Sequence, residues 1–225
     1  MIGVIINAFS IVLGGIIGNV GKAKIPKNLS GFMLQGIGLL CLYIGFTGMM
    51  TGKHTMCIAL SLLFGGIIGY ALDIDEKLHR FGLFIESKTK GENAFAEGLI
   101  GSILLFCVGS MTILAPIQSG TTGENTLLYT KAAMDGFVAI FYSASAGIGV
   151  IFSAIPVFLL EALLVLVAGL FAPYLTDVMI GEINCVGSIL LVALGLNLLD
   201  ITHIKLMNFI PAVFLPILFL QFLSF

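Results

Sequence analysis

Lys131 and Asp135 stand four residues apart inside an otherwise apolar stretch, and their type and spacing could do chemistry. On a helix advancing about 100° per residue, Lys131, Asp135, Tyr142, Gly149 and Ser153 fall within about 40° of one line, with Ala146 close by and Ser143 and Ser145 flanking it. An ionisable group facing lipid deep in a bilayer costs at least about 2.5 kcal/mol. The stripe is therefore expected to face the protein interior or a water-filled cavity. Two readings stay open. In one, Asp135 is a cation or proton site, or the partner that holds Lys131, on a path for a small solute or ion. In the other, Lys131 and Asp135 pair at i,i+4 near the outer interface, Lys131 snorkels to the headgroups, and the remaining small residues are packing surface.

The preceding apolar segment offers a facing surface in Glu97, Ser102, Gly109, Ser110, Thr112 and Gln118, with Pro116 near its outer end. Glycine and serine side by side, followed by proline, favour a kinked or discontinuous helix, which survives in a membrane only where protein or water satisfies the freed backbone groups. Gly147-Ile148-Gly149 ahead of Pro156 is a second candidate break. Two interrupted helices at mid-membrane point to a transport site, and helix ends near Gly109 and Gly147 would present backbone dipoles to a solute. Glu161 reads either as a proton-linked site or as a carboxylate satisfied by a neighbouring helix. Asn197 and Asn7 read either as helix glue or as path-lining groups, with glue favoured for Asn197.

These groups need elements to position them. Of the 225 residues 59% are hydrophobic and only 10% charged, and the mean hydropathy is +1.14. A soluble domain carries about 25% charged residues, so the chain is expected to be one all-α integral membrane domain, residues 1–225. A span needs about 20 apolar residues. About eight candidates follow: Met1 to Val20, Gly31 to Met50, Thr55 to Leu72, Ala94 to Gln118, Leu127 to Phe152, Ala154 to Leu175, Ile183 to Leu199 and Leu206 to Phe225. The first lacks a basic n-region and an A-x-A site and reads as a retained helix.

Alternating these spans places Lys22, Lys24, Lys27, Lys77, Arg80, Lys88, Lys90 and Lys205 on one side, eight of the ten basic residues. By the positive-inside rule that side is cytoplasmic and both termini face outward. Residues 73–91, with Ile74, Leu78, Phe81 and Ile85 at helical spacing, read as an amphipathic helix on the inner surface.

The chain also echoes itself. NAFSIVLGGIIG at 7 to 18 and IALSLLFGGIIG at 58 to 69 agree at seven of twelve positions, and GSILL occurs at 101 to 105 and at 187 to 191. Spans one to three and six to eight are thus candidates for inverted repeats around a central pair. Small-xxx-small pairs such as Gly14/Gly18 and Gly65/Gly69 let helix backbones approach closely and are compatible with a homodimer.

The same residues bound the function classes. A net charge of -2 leaves no basic surface for nucleic acid. Cys41, Cys57, Cys107 and Cys185 never form CxxC, and His54, His79 and His203 stand singly, so neither a metal site nor a cofactor is expected. No HExxH, GxSxG or P-loop motif occurs, and no catalytic residue is assigned. The expected function is transport or channelling of a small solute or ion across the bilayer, along Gly109, Ser110, Thr112, Lys131, Asp135, Tyr142, Ser143, Gly147 and Gly149. The alternative is a non-transporting scaffold or sensor acting through a partner protein, with the inner-surface helix and the small-residue helix faces as its contacts.

Gly109-Ser110-Met111-Thr112-Ile113-Leu114, Lys131 with Asp135-Gly136-Phe137, Gly147-Ile148-Gly149-Val150 and Ser153-Ala154-Ile155-Pro156 resemble the central motif of a bacterial membrane protein family, domain of unknown function 554 or YqgA-like. Ile2 to Asn7 with Gly14-Gly15, the GLNLL run from Gly195 to Leu199, and Asn208-Phe209-Ile210-Pro211-Ala212 extend the resemblance over nearly the whole chain. It implies a polytopic protein of the bacterial cytoplasmic membrane, with no substrate, cofactor or catalytic residue to transfer.

Overall fold

In a computed structural model, residues 1–22, 27–77, 80, 95–107, 110–171 and 176–222 are described, and every regular element among them is helical. In chain order these are α1 (Ile2–Lys22), α2 (Lys27–Met49), α3 (Thr55–Leu72), α4 (Phe95–Cys107), α5 (Ser110–Thr122), α6 (Thr126–Ala146), α7 (Gly149–Phe152), α8 (Ala154–Phe171), α9 (Asp177–Leu198), the 3-10 helix η1 (Leu206–Val213) and α10 (Leu215–Phe222). All but residues 73–77 and 80 of the expected surface helix lie outside the described residues.

Among the described residues, five helices are long and apolar enough to cross a membrane: Ile2–Gly21, Gly31–Met49, Thr55–Leu72, Gly149–Gly169 and Asp177–Leu198. A sixth span results if Gly98–Cys107 and Met111–Thr122, which meet at 57°, are counted together. This is fewer than the eight apolar segments of the sequence, for local reasons. Residues 126–146 form a helix of sufficient length, but Lys131, Asp135 and its hydroxyl-bearing residues dilute its apolar character. The last segment is split, because Pro211 lies within it and supplies no N–H, so Leu206–Val213 winds as a 3-10 helix before α10 starts.

The chain forms two compact units. The first holds residues Met1–Gly36, Gly82–Cys107 and Met111–Tyr174; the second holds Ile37–Phe81, Val108–Ser110 and Leu175–Phe225. In the first unit α1 and α6 run side by side in the same direction. A Cβ on Gly14 would strike the Gly136 carbonyl, and one on Gly18 would strike the Ile140 carbonyl, so only glycine permits this approach. In the second unit the echoed helix α3 sits equally close to η1, with Gly65 against Ala212 and Gly69 against the Asn208 carbonyl.

Helix ends follow local chemistry. Gly147, at φ 83°, closes α6 in a conformation that favours glycine, and its N–H bonds the Ser143 carbonyl at 2.9 Å. Thr176 caps α9 by accepting from the Met179 N–H at 3.2 Å, with Asp177 in the first turn. Exposed faces carry large apolar side chains, among them Phe9 and Ile17 of α1, Leu63 and Ile67 of α3, and Leu159, Leu163 and Leu166 of α8. That is the surface a bilayer solvates.

Candidate functional site

Helix α6 has its polar side turned inward. Lys131, Asp135, Tyr142 and Ser143 are buried, while Met134, Phe137 and Phe141 are exposed. The stripe therefore faces the interior of the first unit, as the cost of placing its charges against lipid demands.

Its Lys131 end is the centre of a buried polar cluster. Lys131 Nζ donates to Asp135 on its own helix and, at 2.8 Å, to the backbone carbonyl of Phe106. The last four carbonyls of a helix lack intrahelical partners, and Phe106 lies next to the last residue of α4. Thr112, in the first turn of α5, donates to the same carbonyl at 3.0 Å. The bend between α4 and α5 thus supplies an oxygen that two side chains satisfy.

Two further helices complete the cluster. Asn7 of α1 donates through Nδ2 to Asp135 Oδ2 at 3.2 Å and to Glu161 Oε1 of α8 at 2.8 Å. Lys131 Nζ lies 3.7 Å from Glu161 Oε1. Asn7 and Glu161 are fully buried, and Lys131, Asp135 and Thr112 are nearly so. The cluster holds two carboxylates and one ammonium, and Glu161 Oε2 and Asn7 Oδ1 find no hydrogen-bond donor among the described residues. Removing such charges from water costs several kcal/mol per ion, offset only by close pairing and hydrogen bonds.

The sequence-selected residues divide between this cluster and packing. Thr112, Lys131 and Asp135 come together. Farther along α6, Ser143 donates to the Gly15 carbonyl at 2.8 Å and so ties α6 to α1. Tyr142 is buried with its hydroxyl where a Cβ on Gly101 would stand, and Gly149 gives α7 close approach to the Phe95 carbonyl. Gly147 forms the helix break. Gly109 lies outside the described residues, as do the side chains of Ser110 and Glu97. Asn197 clips the loop after α9, accepting from Ile204 N at 3.0 Å and donating to Ile204 O at 2.8 Å.

Asn7 and Glu161, left open by sequence, sit beside Asp135. The Phe106 carbonyl has no side-chain signal, and only the adjacent Gly-Ser pair hints at it. Glu182 of the second unit was missed because the apolar run was read from Ile183, whereas the Thr176-Asp177 cap starts α9 earlier. Glu182 is fully buried, and its Oε1 accepts from the Lys53 and His54 N–H groups at 2.7 and 2.8 Å, just ahead of α3. It anchors the start of that helix.

Fold and site together define a polytopic α-helical membrane protein with a buried mixed-charge cluster beside a bent helix pair. The family model described as Protein of unknown function (DUF554) matches residues 2–221, and the chain belongs to that family. It is 29% identical over 220 residues to the "Uncharacterized membrane protein YdfK" of Bacillus subtilis (strain 168), covering 96% of this chain and 94% of that one. It is 28% identical over 221 residues to the "Uncharacterized protein YqgA" of Escherichia coli (strain K12), with the same coverage of 96% and 94%. No solved structure matches.

Proposed function

We propose that the protein transports or channels a small solute or ion across the bacterial cytoplasmic membrane, with its basic segments inside and both termini outside. The observation that carries this reading is the buried cluster of Lys131, Asp135, Glu161 and Asn7 around the Phe106 carbonyl. Ionisable groups within a membrane domain are costly, and they mark ion and solute paths or proton relays. A bent helix pair that offers a terminal carbonyl at the same place is how transport folds build binding sites from backbone. Here the bend between α4 and α5 supplies the carbonyl, α6 supplies the cation and one carboxylate, and α1 and α8 supply the amide and the second carboxylate. Two carboxylates against one ammonium leave one negative charge over, so a proton or a cationic species matches the site better than an anion does.

The test is flux in proteoliposomes under imposed ion gradients, followed with pH- and voltage-sensitive dyes, with Asp135→Asn measured in parallel. Flux above protein-free liposomes that falls at least about tenfold in the variant is the expected result. Equal flux in both proteins removes Asp135 from the path. The absence of flux for protons and common ions turns the reading toward the scaffold alternative.

A further inference from the structure

We infer that Glu161 holds a proton, as a carboxylic acid closed onto the side-chain amide of Asn7, while Lys131 keeps Asp135 as the ionised member of the cluster. The inference deepens the transport reading by naming the ion as a proton, and it rests on that reading only for the proton's passage across the bilayer.

The first argument is the match of two planar groups. Asn7 and Glu161 are fully buried and joined by the 2.8 Å bond from Nδ2 to Oε1. The amide is fixed in this orientation, because its nitrogen stands between two acceptors, Glu161 Oε1 and Asp135 Oδ2. One oxygen is left over on each side chain, Asn7 Oδ1 and Glu161 Oε2, buried and without a donor among the described residues. Two acceptors cannot satisfy each other, and buried polar atoms are nearly always partnered. A single hydrogen on Oε2, donated to Oδ1, turns acid and amide into a reciprocal pair and satisfies both oxygens. An ionised Glu161 offers Oδ1 nothing.

A donorless oxygen decides nothing by itself, as Glu182 shows. Its Oε2 also lacks a donor, but its Oε1 takes two backbone N–H bonds, which favour a carboxylate, and no side-chain amide bonds it among the described residues. Glu161 differs in having an amide with a complementary orphan. It differs also in its charges. Lys131 Nζ donates to Asp135 and to the Phe106 carbonyl, and at 3.7 Å from Glu161 Oε1 it stands outside hydrogen-bond range. A buried carboxylate that no cation bonds is costlier than the neutral acid. With Glu161 neutral, Lys131 and Asp135 form a closed pair and the three side chains carry no net charge. Cys107, the last residue of α4, is the further titratable group in electrostatic reach of all three.

The arrangement also gives the proton somewhere to go. One ammonium serves two carboxylates, and whichever it bonds is the one held ionised. When Lys131 turns from Asp135 to Glu161, the proton leaves Glu161 Oε2 and Asp135 takes one up. The ammonium keeps its three hydrogens and the net charge does not change. Asp135 has 12% of its side chain exposed and Glu161 none, so Asp135 is the end at which a proton meets water.

The experiment is infrared spectroscopy of the purified full chain in detergent at neutral pH, reading the carboxylic-acid C=O stretch above the amide I band. The expected band moves when glutamate side-chain carboxyls carry heavy carbon, stays when aspartate carboxyls do, and is lost in Glu161→Gln. It should persist in Glu182→Gln and shift in Asn7→Leu, which withdraws Oδ1. In Asp135→Asn the remaining carboxylate for Lys131 is Glu161, so the band should be lost there too. A wild type without a glutamate acid band that Glu161→Gln removes overturns the inference, and so does an Asn7→Leu band that stays in place. Should Asn7→Leu not fold, Asn7→Ser withdraws the same oxygen and is read in the same way. Glu161→Gln is neutral and its amide can donate to Asn7 Oδ1, so a Glu161→Gln chain that does not fold also counts against the acid. A band kept in full by Asp135→Asn overturns the role given to Lys131. The band without proton flux in liposomes would sink the transport reading and leave the protonated site standing; ion flux without the band would do the reverse.

Discussion

The two units use the same packing device around different buried carboxylates. In each, a helix carrying GGIIG lies against a partner backbone so closely that a Cβ would strike a carbonyl: Gly18 against Ile140 in the first unit and Gly69 against Asn208 in the second. The carboxylates are treated differently. Glu182 accepts from two successive backbone N–H groups at the start of α3, an uncharged partnership that holds a helix end. Glu161 accepts from Asn7, stands near Lys131, and shares its surroundings with a second carboxylate. The echo itself records the split, since Asn7 of the first copy is Ile58 in the second. Close helix packing is therefore common to both units, and the grouping of two carboxylates with a buried lysine belongs to the first.

Breaking the shared packing should have the largest effect. Gly18→Val and Gly69→Val each push a side chain onto a backbone carbonyl that has no rotamer to escape into, and losses above about 4 kcal/mol are expected, read as absence of folded protein after solubilisation. A Gly69→Val chain that unfolds normally would show that the second unit tolerates what the first does not.

Next comes Lys131→Met measured without added cations. Two buried carboxylates then lose their ammonium, and a loss of about 3 to 5 kcal/mol is expected in denaturant unfolding. A variant as stable as the wild type would mean that water reaches the cluster.

The sharpest contrast sets Glu182→Ala against Glu161→Gln. The first leaves the part-buried Lys53 and His54 N–H groups without their acceptor and should cost about 1 to 2 kcal/mol. The second keeps shape and an acceptor oxygen for Asn7 while removing surplus charge, so stability should change by less than about 1 kcal/mol while liposome flux is lost. Equal stability costs for the two would erase the distinction drawn between the units. The smallest effect belongs to Thr176→Ala, which removes the α9 cap and should lower stability by about 1 kcal/mol with flux intact.

Helical class, membrane residence and the inward polar stripe of α6 were legible in residue order, because hydropathy and a 3.6-residue period are local properties. The break at Gly147 was legible for the same reason, since glycine relieves the backbone where a helix must end. Of the eight apolar segments, five or six meet a span's length and hydropathy among the described residues. Apolar composition marks a segment as lipid-compatible, yet it does not say whether Pro211 turns it into a 3-10 helix or whether a buried stripe makes α6 amphipathic in reverse. Glu182 escaped because a carboxylate at the rim of an apolar run looks like a solvated edge, and only the Thr176 cap upstream reveals that the helix has already begun.

What residue order alone determined is therefore the type of element, the side of α6 that turns inward, and the glycines that permit close approach. Tertiary structure decided that Asn7, Lys131, Asp135 and Glu161 meet, across separations of 128 and 154 residues for the bonds made by Asn7. It also decided that the Phe106 carbonyl joins them. The physical reason is that a backbone oxygen carries no residue identity, and the partner of a buried charge is chosen by which helices pack together, a nonlocal outcome that no periodicity encodes.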